Sequence, residues 1–122
     1  DCVHEWVIDD VPCWLYTRHG PMMALPYSVE LNDVPIYAVG HAPSAAMYDR
    51  VVDSLAQFEH ELDAQPKAMT LALHPHLMGV PHRAIHLARI LDLLLARDDT
   101  VFVTSTGIAD WFSGATQPEP AR

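Results

Sequence analysis

The feature that most constrains this fold is a short, nearly all-apolar run, Ala68 to Leu73, that stops at His74-Pro75. Its length suits a strand buried on both faces, the usual state in a parallel sheet. Upstream, Met47, Val51, Leu55, Phe58 and Leu62 recur every three or four residues, with Asp49, Arg50, Asp53 and Glu61 mostly off that stripe. The pattern predicts an amphipathic helix from Ser44 to near Gln65, ending before Pro66. After a turn from His76 to Val80, Pro81 sits where a first helical residue is welcome. Ala84, Leu87, Ala88, Leu91, Leu94 and Leu95 then continue a helical stripe to about Arg97. Asp98-Asp99 turns the chain, and Val101 to Val103 is a second candidate for a buried strand. Thr104 or Ser105 can cap a last short helix carrying Ile108, Trp111 and Phe112.

The first forty residues hold many turn formers (Pro12, Gly20, Pro21, Pro26, Asn32, Asp33, Pro35, Gly40) around one short apolar run, Met22 to Leu25, read as long loops around a strand. The order is thus three strand–helix units after a loop-rich N-terminal segment. That is an α/β class with right-handed crossovers onto a parallel sheet. Three units do not close a barrel and would leave an uncovered edge, so further strands are expected before Asp1. Residues 114–122, with Pro118 and Pro120, are expected to form a flexible tail.

Charge narrows the partners. Sixteen Asp and Glu against seven Lys and Arg give a net charge of -9, which repels phosphate backbones and anionic lipid heads. Neither nucleic acid nor a membrane is an expected partner, and the longest apolar stretch, Ile90 to Ala96, is far short of the ~20 residues that span a bilayer. The start, Asp1-Cys2-Val3-His4, lacks the basic and apolar regions of a signal peptide. Two cysteines, Cys2 and Cys13, do not make a disulfide framework, and a reduced, cytoplasmic setting is expected.

Reactive groups in parallel α/β folds cluster at the C-terminal ends of strands, and His74 is placed there. The alternative is a structural histidine bonded to a neighbouring loop. His76, His82 and His86 add a rival reading, a histidine metal site, against which Pro75 and a solvated helix face both argue. Glu5, Asp9 and Asp10 surround Trp6, either a solvated turn or carboxylates for acid/base or metal work. Pro26-Tyr27-Ser28, followed by Glu30, Asn32 and Asp33, offers acceptors and an aromatic wall at a strand end.

Four segments, in this order and spacing, resemble the C-terminal half of the polysaccharide deacetylase family, most closely its allantoinase-like and uncharacterised branch. They are Glu5-Trp6 with Asp9-Asp10-Val11-Pro12; Leu25 to Asp33; Leu71 to Arg83; and Val101 to Phe112. The resemblance implies one part, residues 1–122, of a distorted (β/α) barrel. It implies a hydrolase of non-peptide amide C–N bonds, either an N-acetylated sugar or polysaccharide or an allantoin-like cyclic amide. A divalent metal, commonly zinc, would be held by an Asp and two His outside this chain and would activate water, while His74 would be the general acid that protonates the departing amine. Glu5 and Trp6 stand in the last two places of the family's Asp-x-x-Asp-Trp segment, which implies a carboxylate beside the histidine and a pocket wall. Asp10, Tyr27, Asn32 and Arg83 are the further expected substrate contacts, and a homo-oligomer is the expected assembly. The chain by itself would be inactive. The alternative is a catalytically inactive binding or oligomerisation module.

Overall fold

The computed structural model describes residues 10–61, 65–116 and 118, and the backbone of residues 2–4. Three strands form one sheet in the order β1 (Cys2–His4), β3 (Gly20–Pro26), β2 (Cys13–Thr17). The expected Met22 to Leu25 strand is present and sits in the middle. β1 runs parallel to it, with Val3 opposite Leu25, but β2 is antiparallel, with Trp14 opposite Met23. The sheet is therefore mixed rather than parallel. The cause is local: Arg18-His19 closes a two-residue turn into Gly20, whose φ of +113° a side chain would strain. Cys13 to Thr17 had been hidden among the turn formers around it.

Beyond the sheet, a 3-10 turn (Val29–Leu31) and a π-helical turn (Val34–Val39) lead into α1 (Ala46–Glu59). A one-turn α2 (Pro75–Met78), α3 (Pro81–Leu95) and α4 (Ser105–Ala115) follow. Met47, Val51 and Leu55 of α1 are buried as their spacing predicts. Leu62 lies outside the described residues. In α3 the buried stripe is Ile90 and Leu94, with Leu87 packed against them, whereas Leu91 and Leu95 are 40% and 70% exposed and Ala88 is exposed too. The expected stripe was rotated by about one residue, because a helix apolar on more than one side does not announce which side is covered.

These residues join Leu31, Ile36, Tyr37 and Met78 in the larger core. A smaller core joins Met23 and Leu25 of β3 to Phe112 of α4, with Trp14 and Ile108 packed against them. Thr104 caps α4 by accepting from the Gly107 N–H at 3.1 Å. Trp14 Nε1 donates to Thr116 Oγ1 at 3.2 Å, which ties the end of α4 to β2. Gly114 and Ala115, expected in the tail, belong to α4, and most of the residues after Thr116 lie outside the described residues.

The two apolar runs correct the sequence reading most. Ala68 to Leu73 makes one parallel bridge, Asn32 to Ala72, and its residues are half-buried, with Leu73 39% exposed. Val101, Phe102 and Val103 form no strand and are 78%, 58% and 57% exposed. A strand needs a neighbour to share its ladder. Among the described residues the first run has one at a single position and the second has none.

Candidate active site

The parallel bridge places the site. Asp33 N–H donates to Ala72 O at 3.1 Å and Ala72 N–H donates to Leu31 O at 3.0 Å. This lays the end of the 29–33 segment beside the end of the 68–74 run. Asp33, fully buried, then reaches past Ala72 to His74. Its Oδ2 accepts the His74 backbone N–H at 2.6 Å and its Oδ1 accepts from His74 Nδ1 at 2.7 Å. One carboxylate thus fixes both the main chain and the ring of the same histidine. With Nδ1 committed, Nε2 is the nitrogen left to exchange a proton. The His74 side chain is 45% exposed, and among the described residues nothing bonds to Nε2.

The turn after His74 holds the ring in place from the other side. His74 is extended and precedes Pro75, and its carbonyl accepts from the N–H groups of Leu77 and Met78, both at 2.9 Å. Gly79 N–H returns to Pro75 O at 2.9 Å. A Cβ there would lie 2.3 Å from that oxygen, so only glycine fits. Met78, 1% exposed, anchors the turn in the larger core. The His76 ring packs edge-on to His74, with centroids 5.7 Å apart.

Other expected site residues divide. Asn32, buried next to Asp33, donates through Nδ2 to Tyr27 Oη at 3.1 Å and accepts the Val34 N–H at 2.9 Å, so Tyr27 and Asn32 join the same support. Arg83 donates through Nη1 to Leu77 O at 3.2 Å and stacks 4.3 Å over the Tyr37 ring. Asp10 goes elsewhere. It pairs with Lys67 Nζ at 3.0 Å, and its carbonyl accepts from Ala68 N–H at 2.6 Å. That is the opposite end of the apolar run, ~20 Å from His74 along an extended chain. A cleft of about 270 Å³ lies at that end too, lined by Asp10, Glu30, Phe58 and Thr70 among others. Lys67 also meets Glu61 at 2.7 Å. The bonds to Glu61 and then Asp10 hold its ammonium above the usual lysine range, and the bond from Lys67, then that from Gln57, holds the Glu61 carboxyl low. Glu5 and Trp6 lie outside the described residues.

Asp33 is the residue that sequence reasoning missed. It stood among the acceptors of the Tyr27 to Asp33 segment, and the one available signal was that this segment and the His74 run both end in polar groups after apolar residues. Among the described residues no three His, Cys, Asp or Glu side chains converge as a metal set. His82 is exposed and His86 lies beside Arg89, 3.5 Å from its Nη1. The described part of this chain does not fit a metal centre.

An oriented, half-open histidine at the end of a bridged run is a candidate for moving a proton. Comparison with known proteins narrows that reading. The chain is 30% identical over 117 residues to a Schizosaccharomyces pombe protein named as a candidate polysaccharide deacetylase, matching 86% of this chain and 36% of the relative. Its fold superposes with a TM-score of 0.75 on a crystal structure named as a candidate polysaccharide deacetylase from Pseudomonas aeruginosa PAO1, at 23% identity, covering 87% of this chain and 36% of that one. No family model matches the chain. The chain belongs to the polysaccharide deacetylase family and is an α/β part of such a domain, spanning about a third of the length of the relatives it matches.

Proposed function

We propose that the protein carrying this chain is a hydrolase of non-peptide amide C–N bonds, with His74 as the general acid and Asp33 as the group that orients it. The paired grip of Asp33 on the His74 N–H and ring at 2.6 and 2.7 Å carries this reading. An amine expelled from a tetrahedral intermediate leaves poorly unless it is protonated, and a positioned imidazole supplies ~10²- to 10⁴-fold. The Nδ1 bond to Asp33 directs that proton to Nε2, the open side of the ring. Tyr27 and Asn32 brace the Asp33 segment. The substrate is an N-acetylated sugar or polysaccharide, as the relatives' names suggest, or an allantoin-like ring, as the Leu25 to Asp33 and Leu71 to Arg83 segments suggest. The divalent metal expected of such enzymes draws its ligands from outside this chain.

The test is His74→Gln in the full-length protein, assayed on N-acetylated oligosaccharides and on cyclic ureides. A fall in kcat of ~10²-fold or more with unchanged bound metal is expected. Near-normal turnover sinks the general-acid role. Absence of turnover by the unaltered protein on either class would favour a catalytically inactive binding module.

A further inference from the structure

A second hold on the turn that carries His74 comes from Arg83, nine residues further along the chain. Asp33 opens the π-helical turn Val34–Val39, and Tyr37 on that turn is 3% exposed. Its hydroxyl donates to Ser44 O at 2.9 Å and accepts from Met47 N–H at 3.2 Å, so the ring cannot swing. Arg83 lies over this fixed ring at 4.3 Å, and from there Nη1 reaches Leu77 O, inside the turn that follows His74. The Arg83 Nε is buried and has no partner among the described residues. An inward-facing donor left unpaired is unfavourable, and a flexible ammonium would avoid it. A planar guanidinium that must stack and donate sideways at once cannot.

We infer that Arg83, seated on Tyr37, is a positioning residue for His74: it sets the height of the His74–Gly79 turn, so that the imidazole meets Asp33 in register. The inference rests on the proposed role of His74 and goes beyond it. Asp33 and Tyr37 belong to one short segment, and His74 and Arg83 flank one turn. The two contacts therefore act as a pair of struts, and loosening the second lets the first rotate. A substrate contact was the sequence-based expectation for Arg83. The geometry instead turns its guanidinium toward the protein's own ring and carbonyl.

Arg83→Lys and Arg83→Met in the full-length protein test this, alongside Leu55→Ala as a remote core variant that lowers stability without touching either strut. The direct readout is the low-field proton resonance of His74 Nδ1–H, identified by its loss in His74→Gln. Both Arg83 variants should broaden or abolish it and lower kcat by ~10-fold with little change in KM, because a misplaced group costs rate more than binding. Leu55→Ala should keep it. A normal resonance in both Arg83 variants overturns the inference, as does full restoration by lysine, which would mean that charge alone matters. A raised KM with unchanged kcat also overturns it and makes Arg83 a substrate contact. Should His74→Gln prove fully active, the general-acid reading fails, while the resonance in the Arg83 variants still decides this one.

Discussion

Ala68 to Leu73 and Val101 to Val103 are similar stretches of sequence with different fates. Both are apolar, both precede a helix whose first turn carries a polar residue or proline, and both follow a charged anchor. Lys67 opens the first with a pair to Asp10 and Glu61, and Asp99 precedes the second in a pair with Arg97. Yet only the first is bridged, at Ala72, and only its end carries a fixed functional group. The second lies open, with Val101 78% exposed. The difference lies in what sits alongside. Segment 29–33 bridges one run, and no described segment shares a ladder with the other.

The largest effect that could break this contrast is on rate. Asp33→Ala should lower kcat by ~10²- to 10⁴-fold in the full-length protein, the range seen when the carboxylate behind a catalytic histidine is lost. Unchanged kcat in a folded variant would make the end of the first run as idle as the second. Next comes stability. Met78→Ala, just beyond His74, should cost ~2–5 kcal/mol in urea unfolding, since the side chain is 1% exposed in the larger core.

The ion pairs that open the two runs give a smaller, pH-dependent effect. Hydrogen bonds hold Glu61 low (Lys67, then Gln57) and Asp99 low (Arg97). A depressed carboxyl contributes stability that is complete above its unfolded value and lost as pH falls through the folded one, so acid unfolding should set in below about pH 4. Lys67 is raised, so its share is present below the ordinary lysine value and lost only as pH climbs through the higher folded one. Lys67→Met should therefore flatten the acid limb of a thermal-stability profile more than Arg97→Met does, if the first run is the better anchored. Equal flattening would erase the distinction. The smallest effect belongs to Val103→Thr, within ~0.5 kcal/mol for this chain because the side chain is 57% exposed. A loss of 1–3 kcal/mol would mean that the second run is covered after all.

Local pattern carried the readable part. The proline after His74, the stripe of Met47, Val51 and Leu55, and the Thr104 cap each depend on neighbours within a turn or two, and each stands where periodicity put it. The position of His74 was legible for the same reason. Its partner was not, because Asp33 is 41 residues away and nothing in the spacing of either segment encodes that they lie side by side. Asp10 was illegible in the opposite sense. An acidic pair near a Trp invited a functional reading, whereas a lysine far along the chain had claimed it. The β2–β3 hairpin was obscured by the very prolines and glycines that make its turns.

The bridge between Leu31–Asp33 and Ala72 has a temporal side as well. The backbone hydrogen bonds of α3 and of the His74 turn link residues within a few positions of one another. The grip of Asp33 on the imidazole needs the intervening chain, α1 included, to close first, and that closure costs entropy before any contact repays it. The imidazole is thus aimed only once that loop has closed. A chain halted before the bridge would show helical structure and no directed imidazole.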